Sequence, residues 1–243
     1  MSTLQKRMKM AVGFPIIFGL AACGAQEPVS EAEIAPEEAG AEFAEGELAI
    51  PVMGEEVTII AFGDSLFAGY GLRDPGDAYP AKLEAALRSR GINAAIVNAG
   101  VSGDTSAAGL TRLEFVLNAQ QETPDYLILE LGGNDLLRGL APDETRANFE
   151  AMLTILAERE IPVLLMGMRA PTNYGPEYQA DYDALYVELA REYDTALIPF
   201  WLEDIYEDAS LFQNDRIHPT AEGIEALVDS TVDDVAGALP EQS

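Results

Sequence analysis

Val57-Thr58-Ile59-Ile60-Ala61-Phe62-Gly63-Asp64-Ser65-Leu66-Phe67-Ala68-Gly69-Tyr70 is the stretch that decides the fold. Its first six residues are apolar or β-branched and read as a buried strand. Gly63-Asp64-Ser65 breaks the run with a turn that lifts one hydroxyl off the strand end. In an α/β protein that end faces the crevice where ligands bind, so Ser65 stands where a nucleophile would. Taken alone, the triplet is better explained as a helix start capped by Asp64 or Ser65. The rest of the chain reverses that preference.

Beyond residue 57 short apolar runs alternate with amphipathic segments. Strands are expected at residues 57–62, 94–98, 126–131, 163–168 and 196–200, and helices at 78–90, 106–120, 142–160, 176–193 and 219–238. The helix at 142–160 opens on Pro142, Asp143 and Glu144, which suit the first turn and the positive end of the dipole. Phe149, Leu153 and Leu156 follow at the spacing of a core-facing stripe. Strands this apolar are covered on both faces, so the expected fold is α/β: a three-layer α/β/α sandwich around a five-stranded parallel sheet.

Upstream the composition changes. Lys6, Arg7 and Lys9 precede a 12-residue apolar run that closes on Leu20-Ala21-Ala22-Cys23. A basic start, a short apolar core and small residues at a cut site read as a secretory signal, and the run is too short to span a bilayer. Residues 23–54 carry eight Glu and no Lys or Arg before Ile50, and read as an extended acidic tether. The domain proper is expected at 55–243. With 42 acids against 14 bases the chain carries −28, which argues against a basic face for nucleic acid or anionic membrane. A single cysteine excludes an intrachain disulfide.

In a parallel sheet the C-terminal strand ends share one edge, so three loops converge: Gly63-Asp64-Ser65, then Asn98-Ala99-Gly100-Val101-Ser102-Gly103-Asp104, then Gly132-Gly133-Asn134-Asp135. Near the C-terminus stands Asp215-Arg216-Ile217-His218-Pro219, with the only histidine of the chain. Ester hydrolysis needs a nucleophile, a base and donors for the developing oxyanion. Ser65 is the candidate nucleophile. His218 is the candidate base, imidazole being the side chain suited to proton transfer near neutral pH. Asp215, three residues earlier, is within reach of the imidazole's far nitrogen and would orient it. Gly103 brings an amide close for want of a side chain, Asn134 offers an NH₂, and the Ser65 amide is the third donor. Read singly, His218 caps a helix, the glycines make turns, Asn134 satisfies a loop carbonyl, and Asp64, Asp104 and Asp135 bond amides of their own turns.

These four pieces resemble blocks I, II, III and V of the SGNH (GDSL) hydrolases, in order and at approximate spacing. Ser102-Gly103-Asp104-Thr105-Ser106, the run from Glu130 to Asp135, and Asn173-Tyr174-Gly175 resemble the bacterial thioesterase/arylesterase/lysophospholipase branch. The resemblance implies catalysis by Ser65, Asp215 and His218, with an oxyanion hole from Ser65, Gly103 and Asn134. The leader resembles a bacterial lipoprotein signal, which implies cleavage before Cys23, a lipid on its sulfur, and an envelope protein facing the periplasm. Leu66, Leu136, Leu137, Ala170, Tyr174 and Ile217 are candidates for a substrate pocket, as are Phe67 and Leu140, though residues of this kind usually belong to the core.

The expectation is therefore a lipid-anchored serine ester hydrolase of small esters, thioesters or lysophospholipids, monomeric, needing no cofactor or metal, and touching membrane only through Cys23. A carbohydrate O-acetylesterase of the same fold and a non-catalytic ligand-binding lipoprotein are the alternatives. No Gly-x-Ser-x-Gly elbow, phosphate loop or His/Cys cluster supports another chemistry.

Overall fold

The structure, a computed structural model, describes residues 51–240; the signal segment, Cys23 and nearly all of the acidic tether lie outside them. Five strands, β1 (Met53–Gly63), β2 (Ile92–Gly100), β3 (Tyr126–Leu129), β4 (Val163–Met166) and β5 (Ala196–Ile198), form one parallel sheet. Their order is β2-β1-β3-β4-β5, so β1 is internal and pairs on both sides. That explains its composition: Ile59, Ile60, Ala61 and Phe62 are all buried, as an inner parallel strand covered on both faces requires.

The expected α/β architecture is the one found, with shifted boundaries. β1 begins at Met53, taking in two residues read with the tether; its exposed start pairs with β2 across a register shift and has no apolar pattern to announce it. β3 stops at Leu129 rather than 131 because the chain turns toward Gly132, whose φ of 101° is left-handed. β4 and β5 likewise stop two residues short of their expected ends.

Five long helices cover the sheet: α2 (Tyr79–Ser89), α3 (Ser106–Asn118), α5 (Pro142–Glu158), α6 (Pro176–Tyr193) and α8 (Ala221–Ala238). Three short ones, α1 (Ser65–Ala68), α4 (Gly133–Leu137) and α7 (Glu203–Tyr206), follow β1, β3 and β5, and are too brief to register as periodicity. The α2 and α8 helices pack together, as do α3 with α5 and α5 with α6. The Tyr79 hydroxyl meets Thr231 Oγ1 at 2.7 Å inside the α2–α8 contact, leaving neither buried hydroxyl unpaired. In α5, Pro142 sits in the first turn and Phe149, Leu153 and Leu156 are buried; each such side chain contributes about 1.5–3 kcal/mol by leaving water. The last helix starts at Ala221, two residues late, because Thr220 caps it by accepting from the Gly223 amide.

Candidate active site

With strand order 2-1-3-4-5 the sheet reverses direction of growth between β1 and β3, the place where open α/β sheets bind ligands. The loops after those strands carry Ser65 and Asn134. Asp64 caps α1 by accepting from the Leu66 amide at 3.0 Å, as the helix-start reading of the triplet expects, and Ser65 opens that helix at the sheet edge. As the first residue of α1, Ser65 keeps an amide without an intrahelical acceptor.

Three of the expected residues form a continuous chain of contacts. Ser65 Oγ lies 2.9 Å from His218 Nε2, and His218 Nδ1 lies 2.7 Å from Asp215 Oδ2. The other Asp215 oxygen accepts from the Ile217 and His218 amides, both at 3.0 Å. This tight turn needs a left-handed residue, and Arg216 supplies it at φ 62°. Partial burial pushes the Asp215 carboxyl upward. Hydrogen bonds from the His218 ring and from those two amides outweigh it and bring the pKa to about 2.

The second and third loops are locked beside the first. The Val101 amide donates to Gly63 O at 3.0 Å, and Gly100 lies so close to the α1 backbone that a Cβ there would meet Ala68 N at 2.4 Å. Three residues on, Gly103 has φ 88°, and Arg138 Nη2 donates to its carbonyl at 2.8 Å, tying the second loop to the end of α4. Asn134 Nδ2 donates to Asp64 Oδ2 at 2.7 Å. An amide NH₂ has two hydrogens, so this bond fixes the group and leaves the second hydrogen for another acceptor. The other two motif acids, expected to bond amides of their own turns, reach outside them instead, because each finds a donor on a neighbouring helix. Asp135 accepts from the Ser106 amide and hydroxyl and from Thr145, and Asp104 pairs with Arg112 at 2.5 Å.

A mainly apolar cavity of about 410 Å³ flanks this edge, lined by Leu66, Leu136, Leu137 and Ile217 among the expected residues. Two expected pocket residues are off its walls. Ala170 is buried with its amide donating to Asp183, and Tyr174 turns away, its hydroxyl donating to Leu136 O and its ring stacked on Tyr178. Phe67 and Leu140 are absent from the walls too; Phe67 is core, stacked on Tyr79 and edge-on to Trp201. The unforeseen walls include Met168, Phe200, Leu202, Tyr206, Ala209 and Phe212. A larger groove of about 550 Å³, at the opposite sheet edge around Gln120, Pro124 and Arg159, holds none of the motif residues. Among the described residues no cluster of His, Cys, Asp and Glu is arranged to hold a metal ion.

Comparison with known proteins shows the family. A profile of the GDSL-like Lipase/Acylhydrolase family matches residues 61–226. Thioesterase 1/protease 1/lysophospholipase L1 of Escherichia coli is 38% identical over 172 residues, covering 71% of this chain and 80% of that protein. Esterase TesA of Pseudomonas aeruginosa is 40% identical over 162 residues, covering 67% and 79%. Among solved structures, the SGNH-hydrolase family esterase AlinE4 is 59% identical with a TM-score of 0.65, covering 78% of this chain and 100% of its own. The chain belongs to the GDSL-like lipase/acylhydrolase family and is an ester hydrolase.

Proposed function

We propose that this hydrolase works by acyl transfer to Ser65, with His218 as general base and then general acid, and Asp215 as the group that orients the imidazole. The observation that carries the reading is the unbroken relay from Ser65 Oγ through the His218 ring to Asp215. A neutral imidazole protonated on Nδ1 donates to Asp215 and accepts the hydroxyl proton at Nε2. Attack on the ester carbonyl then leaves an imidazolium stabilised by the adjacent carboxylate. The imidazolium passes that proton to the leaving oxygen or sulfur as its bond to the acyl carbon breaks, so the alcohol or thiol departs and the ring is neutral again. Water activated by that ring then attacks the acyl-enzyme, releasing the acid and restoring Ser65. The amides of Ser65 and Gly103 and the second Asn134 hydrogen are the proposed oxyanion donors, rigid before charge develops.

The substrates proposed are small uncharged or aryl esters, thioesters and lysophospholipids; the Escherichia coli relative is named thioesterase and lysophospholipase. The apolar walls beside Leu66 and Leu136 suit an acyl chain, and their volume favours chains longer than acetyl over the O-acetylesterase reading. We propose also that the protein is exported and held to the bacterial envelope by lipid on Cys23, on the strength of its basic leader and Leu20–Cys23 box. The test is a panel of p-nitrophenyl esters of increasing length, an acyl thioester, a lysophospholipid and an acetylated glycan, run on wild type and Ser65→Ala. Turnover of acyl esters that the variant loses supports the reading; equal turnover by Ser65→Ala overturns it.

A further inference from the structure

One ionisable group at this edge has no part in the relay. Glu130 ends the apolar run of β3 and is wholly buried. Its backbone amide still donates to Phe62 O at 2.9 Å, so the residue is held in line with Gly63 on the neighbouring strand. The side chain lies against the space where Gly63 lacks one: a Cβ on Gly63 would come within 2.6 Å of Glu130 Oε2 and 2.7 Å of the Phe67 ring. The glycine of the first motif is therefore needed for the carboxyl behind it, not for an unusual φ.

From that niche Glu130 Oε2 accepts the Asp64 amide at 3.1 Å, while Oε1 is buried with no partner. Asp64 is itself buried, and its carboxylate holds the Leu66 amide, the Asn134 NH₂ and, more distantly at 3.4 Å, the Ser65 hydroxyl. The backbone of Asp64 is thus fixed by Glu130, and its side chain fixes two groups of the proposed machinery. We propose that Glu130 is a positioning residue that, through Asp64, sets the placement of Ser65 and Asn134. This inference rests on the reading of Ser65 as nucleophile.

The surroundings decide the form in which Glu130 works. The groups facing the pair are the two carboxyls themselves, the phenols of Tyr182 and Tyr186 on α6, and His218 across Ser65 from Asp64. None of the hydrogen-bond partners of either carboxyl is a base. Burial, followed by the neighbouring Asp64 charge, pushes the Glu130 carboxyl well above the usual range. Burial raises Asp64 as well, but the Leu66 amide and the Asn134 NH₂ both donate to it and favour the charged form, whereas Glu130 accepts one amide. Between two adjacent buried acids the proton accordingly rests on Glu130. As a neutral acid it accepts the Asp64 amide without repelling the Asp64 carboxylate. Ionised, it would be a second buried anion against the first and would displace the turn.

The test compares Glu130→Gln, Glu130→Leu and Glu130→Asp with wild type and Ser65→Ala, reading kcat, KM and the rate of Ser65 labelling by a fluorophosphonate. Gln keeps a neutral carbonyl acceptor in place and is expected to retain most of the wild-type kcat. Leu removes the acceptor and Asp withdraws it by one methylene. Both are expected to lower kcat and labelling, by up to about 10²-fold for an ångström-scale misplacement, with KM little changed. Should the Leu variant fail to fold, the Asp variant carries the comparison. Wild-type kcat in the Leu or Asp variant, or equal impairment of all three, would overturn the inference. Activity surviving in Ser65→Ala would instead overturn the nucleophile assignment.

Discussion

Ser65 Oγ and His218 Nε2, 153 residues apart in sequence, lie 2.9 Å apart in the folded chain. No other imidazole exists to take over the proton. His218→Ala should therefore reduce kcat about as far as Ser65→Ala, and the double variant little further, because the two act as one unit. By analogy with a serine protease triad the loss is on the order of 10⁶-fold, above a residue of binding-driven catalysis. Turnover of a p-nitrophenyl ester by the three variants checks this; additive losses would separate the two roles.

Asp215 links that site to pH. Its folded carboxyl, brought down to about 2, lies below the value near 3.9 of an unfolded aspartate. A lowered carboxyl contributes stability that is present above the unfolded value and lost as pH falls through the folded one. The Tm gap between wild type and Asp215→Asn should thus be full above pH ~4 and shrink toward pH ~2. The contribution is modest, since this side chain is 37% exposed. Activity is the sharper readout. Replacing the carboxylate removes the preference for the Nδ1-protonated ring and should lower kcat by about 10⁴-fold at neutral pH.

Asn134→Ala should lower kcat by about 10²–10³-fold with KM nearly constant, the expectation for a donor that matters only once charge develops. The substitution also leaves Asp64 Oδ2 without the NH₂ it holds at 2.7 Å. A small loss of Tm should accompany it. A rise in KM alone would make Asn134 a substrate contact rather than an oxyanion donor.

Much of this edge was legible in the chain because the residues that build it leave local marks. An inner parallel strand must be apolar throughout, so residues 57–62 announced β1, and Pro142 with its acidic neighbours announced α5. Ser65, Asn134, Asp215 and His218 were legible as motifs, and the topology then gathered them at one edge. The cavity walls were not, because Phe200, Leu202, Tyr206 and Phe212 follow β5 in a segment of short turns with no period to read. Nearness in sequence misled for Ala170 and Tyr174, since sequence distance says nothing about which way a loop folds. Glu130 did leave a sign, an acid at the end of an otherwise apolar strand. Its meaning depended on the missing Cβ of Gly63 on a different strand.

The cavity predicts a chain-length profile. Each methylene that enters an apolar site is worth up to about 0.8 kcal/mol, so kcat/KM for p-nitrophenyl esters should rise by no more than about fourfold per carbon and then level off. Ala209 lines this cavity and is exposed, so a large side chain there fills space without disturbing the core. Ala209→Trp should move the plateau to shorter chains while acetate esters are turned over as before. An unchanged profile would place the acyl chain elsewhere.

Gln213 clasps the His218 segment to the Ser65 segment. Its Nε2 donates to Tyr70 O at 2.8 Å and to Pro219 O at 2.9 Å, and its backbone amide donates to His218 O at 2.7 Å. Gly71 makes room for it, since a Cβ there would lie 2.2 Å from Gln213 Oε1, and its φ of 76° favours glycine as well. The relay distance between Ser65 and His218 spans these two segments, so loosening the clasp should widen it. Gln213→Ala is expected to lower kcat by up to about 10²-fold with KM little changed, as a misplaced reacting group does. Gln213→Glu should be worse at neutral pH, because a carboxylate would face two carbonyl oxygens, and should recover in part as acid protonates it. Steady-state kinetics of both variants between pH 4 and 8 check this; a change confined to KM would instead make Gln213 a substrate contact.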